Sequence, residues 1–142
     1  MRFVTAAAIF GLVAASPFTP HKRQNTDQFG TVEVSPTTFG IGDSIKVTYS
    51  ATTARFPPDF IDFYLRGQFP SQPGAVEFTP FYLLSRNDYP AGEETFVLET
   101  IVPRVPTSAS NWQLWTDVIF PGSSNNTLEV GSIPVSVTIT PD

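Results

Sequence analysis

Seven segments of this chain carry the residue pattern of β-strands. Six alternate between apolar and polar positions with a period of two, and the fourth is apolar nearly throughout. The segments are Thr31–Val34, Ser44–Ser50, Asp59–Arg66, Phe78–Ser85, Thr95–Ile101, Trp112–Phe120 and Ile133–Thr140. Successive side chains of a strand point to opposite faces, so this period predicts strands that each bury one face. Seven such strands, separated by Pro, Gly, Asn and Ser, predict an all-β, Ig-like antiparallel β-sandwich.

The alternation also divides the side chains of each strand between its two faces. In the third segment it places Ile61, Phe63 and Leu65 on one face. In the sixth segment one face holds Trp112, Leu114, Thr116, Val118 and Phe120. Trp115 falls on the opposite face of that strand. Pro134 lies inside the last segment, where its missing N–H predicts an edge strand or a bulge.

The first 23 residues are typical of targeting and processing signals and not of a folded domain. Met1 and Arg2 precede an apolar run over Phe3–Ala15, which predicts a signal peptide over 1–15 because the run is too short to span a bilayer. A buried helix is the alternative. The dibasic pair Lys22-Arg23 predicts a processing site that ends a propeptide at 16–23; the alternative is two ordinary surface cations. The sandwich domain is then 24–142.

Composition and charge narrow the class of partner. Charged residues are 15% and aromatic residues 13% of the chain, the reverse of a disordered composition. Cysteine is absent, which excludes disulfides and thiolate metal sites. From Gln24 onward five basic residues stand against 13 acidic ones, a net charge of −8. Such an acidic surface argues against nucleic acid as a partner. No second long apolar run follows, so we expect no transmembrane segment.

Catalytic side chains are scarce. His21 is the only histidine and precedes the predicted processing site, so the domain lacks the base of a Ser-His-Asp triad. Glycoside hydrolysis needs two carboxylates, one of them protonated. Asp59 and Asp62 are three residues apart on one strand and face opposite ways, and Asp117 has no partner along its own strand. We therefore expect a protein that is not an enzyme and that uses no metal or cofactor. An acidic pair brought together by the fold is the observation that would favour an enzyme.

Aromatic residues are the better functional lead, because flat rings stack on sugar rings. Trp115 and Phe69 are the candidates for contact with a polysaccharide or another partner; packing in the core is the alternative for each. Asn125 begins an Asn-Asn-Thr sequon in a Gly/Ser-rich loop and is predicted to be glycosylated in a secreted protein, a plain turn being the alternative.

Three stretches of the chain resemble, in order, the Ser/Thr-rich, GPI-anchored fungal cell-wall protein family, relatives of the yeast proteins of β-1,6-glucan synthesis. They are Val34–Tyr49, Phe96 to Trp115, and Val130–Val137. The resemblance covers about 31–139, with Tyr49 where the family commonly has Trp. It implies an Ig-like domain outside a fungal cell, in contact with wall glucan, and it brings no catalytic residues.

These observations predict a secreted, extracellular or wall-located protein without catalytic activity that associates with cell-wall polysaccharide. A small secreted module that docks to a host or surface protein is the second hypothesis, since sheet edges and apolar patches suit protein partners. A carbohydrate-active enzyme with two carboxylates is the third.

Overall fold

The computed structural model describes residues 26–69, 81–122 and 127–141, which form nine β-strands and one short 3-10 helix (Thr26–Phe29). The strands are β1 (Thr31–Ser35), β2 (Thr38–Gly40), β3 (Ser44–Ser50), β4 (Phe60–Gln68), β5 (Phe81–Asp88), β6 (Thr95–Ile101), β7 (Ser110–Pro121), β8 (Leu128–Ser136) and β9 (Thr138–Thr140). Within these residues no helix is long and apolar enough to cross a membrane.

The strands form two antiparallel sheets and one short parallel pair. One sheet has the order β1-β3-β6, the other has the order β5-β4-β7-β8, and β2 pairs in parallel with β9. In an Ig-like sandwich, strands A, B and E share one sheet and C, F and G share the other. Here β1, β3 and β6 occupy the first set of positions, and β4, β7 and β8 occupy the second, with β5 added beside β4. The predicted all-β sandwich is confirmed.

The core lies between the inner faces of the two sheets, as the period of two requires. Ile45, Val47 and Tyr49 of β3 face Ile61, Phe63 and Leu65 of β4, and all six are at most 1% exposed. The predicted inner residues of β7 are all buried as well. Pro134 lies on β8, which is an edge of the four-stranded sheet, so its missing N–H costs no ladder hydrogen bond.

Besides shifts in strand bounds, such as β5 ending at Asp88 instead of Ser85, the chain departs from the sequence prediction at two places. Phe39 and Gly40 fall between the first two predicted strands, but they form β2, whose partner β9 is a hundred residues away along the chain. The last segment, expected as one strand, divides at Val137, whose N–H donates to the Trp112 carbonyl. Its first part begins earlier than predicted, at Leu128. Both differences depend on long-range pairing, which local alternation does not encode.

The 3-10 helix covers one end of the sandwich. The Phe29 ring stacks on the Phe120 ring at 5.7 Å between centroids. The backbone carbonyl of Phe29 accepts a 2.7 Å hydrogen bond from the Tyr49 hydroxyl. Gly30 follows with a positive φ of 99°, and a Cβ there would meet the Tyr49 ring at 2.7 Å. The sandwich thus includes the 3-10 helix that begins at Thr26. The predicted signal peptide, the propeptide with Lys22 and Arg23, and the sequon at Asn125 lie outside the described residues.

Candidate binding face

The two sheets present different faces to solvent. The outer face of the three-stranded sheet is polar along β1 and β3, and on β6 it adds Val97 and Ile101. Its polar members are Thr31, Glu33, Ser35, Ser44, Lys46, Thr48, Ser50, Thr95 and Glu99. The outer face of the four-stranded sheet is dominated by aromatic and aliphatic side chains. The second face is therefore the one whose composition needs an explanation beyond solubility.

Strand register sorts that second face into rows, because residues directly opposite each other on neighbouring strands share a face. We call it the outer face. Its aromatic side is formed by Arg66 opposite Phe81 and Gln113, and by Tyr64 opposite Leu83 and Trp115. Its polar row is Arg86, Asp62, Asp117 and Ser132. Its apolar row is Phe60, Ile119 and Val130.

Three rings and one guanidinium form a continuous aromatic stack across β5, β4 and β7. The Tyr64 ring lies 4.4 Å from the Phe81 ring and 6.4 Å from the Trp115 ring, to which it is nearly parallel at 18°. The Arg66 guanidinium lies over the Trp115 ring, 5.1 Å from its centroid. The Trp115 indole N–H donates to the Gln113 side chain at 3.0 Å, which fixes the ring's orientation. The stack is thus held in place before any ligand arrives.

Exposure within the stack is uneven. Tyr64 is buried between its neighbours, Trp115 is half-buried, and Phe81 is 58% exposed. Leu83, beside Phe81 on β5, is 51% exposed. The accessible part of the stack is therefore the Phe81 ring with an edge of Trp115, and Tyr64 supports both.

The polar row places two carboxylates directly opposite each other, Asp62 on β4 and Asp117 on β7. Like charges in this position destabilise a sheet unless they are compensated. Asp62 is compensated by Arg86, whose Nε and Nη2 both donate to the carboxylate, at 2.7–3.0 Å. Although it is on a solvent-facing side, Asp62 is only 6% exposed. Arg86 and Asp62 thus form a bidentate ion pair in which Asp62 is buried and Arg86 is exposed.

Asp117 has a different environment. Its Oδ1 accepts hydrogen bonds from the Ser132 hydroxyl at 2.6 Å and the Tyr64 hydroxyl at 3.2 Å. Among the described residues, no cation pairs with Asp117, because Arg86 is paired with Asp62. Burial, and after it the charge of Asp117, raises the pKa of Tyr64 to about 12. The phenol therefore keeps its proton at neutral pH and stays a hydrogen-bond donor to Asp117.

Of the two aromatic residues singled out from the sequence, the structure places Trp115 in the aromatic stack. Phe69 lies directly after β4, partly buried, and outside the paired rows of the outer face. Sequence reasoning missed the opposition of Asp62 and Asp117 and the ion pair with Arg86. Alternation along β4 and β7 did place each carboxylate beside an aromatic residue, but the register between the strands was not available from the sequence.

Other sites on the molecule offer less. Within the described residues no group of three or more His, Asp or Glu side chains is arranged to hold a metal ion. A cavity of about 300 Å³ opens at one end of the sandwich, between the start of β7 and β9. Its lining includes Asn111, Trp112 and Thr138 and no charged residue.

Comparison with known proteins supports the fold alone. No protein-family model matches the chain, and no curated protein sequence matches it. Among solved structures, the sporulation control protein Spo0M of Bacillus subtilis matches with a TM-score of 0.51 and 12% sequence identity. The match covers 77% of this chain and 47% of the Spo0M chain, so this protein spans less than half the length of Spo0M. At this identity, a shared β architecture is all that the likeness shows.

Proposed function

We propose that the protein is a secreted, non-catalytic extracellular protein that binds polysaccharide on the outer face of its four-stranded sheet. Its location outside the cell follows from the predicted signal peptide, and a fungal wall is the setting that the family resemblance implies. The observation that carries the proposal is the juxtaposition of the aromatic stack and the polar row on one open face.

This juxtaposition matches the chemistry of a sugar. A pyranose ring has an apolar face of C–H groups and a rim of hydroxyls, so a binding surface needs a flat apolar contact beside hydrogen-bonding groups. Phe81 and Trp115 supply the apolar contact, and Asp117 and Ser132 lie in the next row of the sheet. Side chains two residues apart on a strand are separated by about 6.6–6.8 Å, a distance on the scale of one sugar ring.

The absence of catalysis is part of the proposal. Hydrolysis by two carboxylates needs one of them to hold a proton and donate it. Asp62 and Asp117 are opposite each other, but each already accepts hydrogen bonds, from a guanidinium in one case and from two hydroxyls in the other. In this proposal both carboxylates therefore act as hydrogen-bond acceptors.

A protein partner is the second candidate, and one specific observation favours it. The outer face also carries exposed aliphatic side chains, Leu83 and Val130, with Leu128 at the start of β8. Aliphatic side chains contribute to protein interfaces, but they do not stack on sugars as rings do.

The test is retention of the protein, expressed from its full sequence and purified, on insoluble β-glucan, chitin and mannan. We expect retention on one of these polymers, with at least a tenfold loss of affinity for Phe81→Ala and for Trp115→Ala. The matched control is Val97→Ala, which removes an exposed apolar side chain from the other sheet and leaves retention unchanged. Lack of retention on all three polymers would contradict the proposal and favour the protein partner.

A further inference from the structure

Asp117 is the carboxylate of the polar row that pairs with no cation among the described residues. Arg86 donates from both Nε and Nη2 to Asp62, and Arg66 lies over the Trp115 ring. The hydrogen bonds to Asp117 come from neutral hydroxyls and end on a single oxygen, Oδ1. The second oxygen of the carboxylate, Oδ2, therefore keeps its capacity to accept hydrogen bonds.

Asp117 lies where a ligand on the aromatic stack could donate a hydrogen bond to it. Along β7 it lies two residues from Trp115 on one side and two residues from Ile119 on the other, so it stands between the aromatic stack and the apolar row. Asp117 itself is partly exposed, whereas Asp62 beside it is buried beneath Arg86. A ligand lying on the aromatic stack would thus bring its edge toward Asp117 before it reached any other carboxylate of the row.

Tyr64 and Ser132 hold the carboxylate in this orientation. Tyr64 is a member of the stack and donates to Asp117, so the ring contact and the polar contact are linked through one side chain. The Ser132 hydroxyl approaches the same oxygen from β8. Both are positioning residues, and the oxygen that they leave unused is the one available to a ligand.

Resting on the proposed function, we infer that Asp117 is the residue that selects the ligand, and that the ligand is an uncharged, hydroxyl-rich polysaccharide. An ionised carboxylate accepts hydrogen bonds and donates none. It therefore favours hydroxyl donors and repels the carboxylates of an acidic polysaccharide. A cationic amino-polysaccharide is disfavoured by Arg86, which lies in the polar row, and by Arg66, which lies over the Trp115 ring of the stack.

The experiment measures the affinity of the protein for soluble β-glucan, mannan, polygalacturonate and chitosan, with Asp117→Asn and Asp88→Asn as a matched pair of variants. Asp88 is an exposed acid at the end of β5, opposite Phe60, and its change to Asn removes the same charge from the same sheet without touching the stack. We expect the protein to bind a neutral polymer. Asp117→Asn should weaken this binding at least tenfold, while Asp88→Asn should change it less than twofold.

The outcomes separate this inference from the proposed function. A protein that binds none of the polymers refutes the proposed function and this inference with it. Binding that Phe81→Ala abolishes but Asp117→Asn leaves intact refutes the role of Asp117 alone. Preference for polygalacturonate or chitosan overturns the choice of an uncharged ligand. Thermal unfolding of Asp117→Asn, compared with that of Ser132→Ala, shows whether lost binding accompanies lost folding, because Ser132→Ala disturbs the same network but keeps the carboxylate.

Discussion

The inner and outer faces of the four-stranded sheet are both rich in aromatic residues, but they organise them differently. On the inner face Phe63 is fully buried and stacks on Phe96 of the opposite sheet at 6.0 Å. On the outer face Phe81 packs against Tyr64 of its own sheet, with the two rings tilted by 39°, and is mostly exposed. The inner rings join two sheets into one core, whereas the outer rings lie side by side on one surface. The number of aromatic residues on a strand therefore does not indicate function until it is known which of them face the opposite sheet and which face solvent.

The faces differ equally in how they treat polar groups. The inner face of β7 holds the fully buried Thr116, whose Oγ1 has no hydrogen-bond partner among the described residues. On the outer face, Asp62, Asp117 and Tyr64 each have at least one hydrogen-bond partner. The buried hydroxyl of Thr116 is isolated within the described part of the chain, whereas the polar groups of the outer face form two hydrogen-bonded sets, Arg86 with Asp62 and Asp117 with Tyr64 and Ser132. This difference supports the proposal that the outer face binds a ligand.

The sharpest test of the comparison truncates one ring on each face. We expect Phe63→Ala to lower the free energy of unfolding by about 3–5 kcal/mol, because it removes a fully buried ring and leaves a cavity. Phe81→Ala should cost about 1 kcal/mol or less, since its ring is mostly exposed. Urea denaturation of both variants measures the difference. Equal losses would mean that the outer ring is structural, and the proposed binding face would lose its support.

The ion pair on the outer face gives the next largest effect. Arg86→Ala leaves the buried carboxylate of Asp62 opposite Asp117 with no compensating cation, so we expect the unfolding midpoint to fall by more than in Phe81→Ala and by less than in Phe63→Ala. The double variant Arg86→Ala with Asp62→Asn should recover most of the loss, because it removes the uncompensated charge. If the double variant were no more stable than Arg86→Ala, the ion pair would not be the source of the effect.

Thr116 offers a change in the opposite direction on the inner face. Thr116→Val replaces an unpartnered buried hydroxyl with a methyl group of similar size, so we expect a gain of about 1 kcal/mol in the free energy of unfolding. Thr48→Val on the outer face of the other sheet is the control, and it should leave stability nearly unchanged. A loss of stability in Thr116→Val would indicate that the hydroxyl has a partner in solution, such as a bound water.

The smallest effect concerns the protons of the tyrosines. Burial raises the pKa values of both Tyr49 inside and Tyr64 outside, and for Tyr64 the charge of Asp117 is the second cause. When folding raises the pKa of a phenol, the folded protein loses stability as the pH rises above 10, the pKa of the phenol in the unfolded chain. The reason is that the unfolded chain releases the proton first. We therefore expect the free energy of unfolding to fall between about pH 10 and pH 12.

Asp117→Asn distinguishes the two tyrosines. It should lower the pKa of Tyr64 toward its ordinary value and leave that of Tyr49 raised, since Tyr49 donates to the backbone carbonyl of Phe29 and has no carboxylate beside it. Titration of tyrosinate absorbance in the native protein, with Tyr64→Phe to assign the signal, measures both. An unchanged Tyr64 titration would mean that Asp117 and Tyr64 do not interact in solution.

The sequence by itself determined most of the strands and how the side chains of each strand divide between its two faces. Alternation located β3 and β6 to the residue, placed Ile61, Phe63 and Leu65 on one face, and put Trp115 opposite Trp112. These features are local, because a strand's side chains alternate whatever the strand pairs with. An acidic, cysteine-free composition likewise limited the chemistry before any fold was known.

Tertiary structure alone decided which strands are neighbours and in which register. That decision made β2 a strand rather than a turn, brought Asp62 opposite Asp117, and assembled Phe81, Tyr64 and Trp115 from three strands into one stack. Register arises from packing between distant segments, and a shift of one residue would move every side chain to the other face. The two faces of each strand could therefore be predicted from the sequence, whereas the candidate site depends on contacts between neighbouring strands, which only the tertiary structure decides.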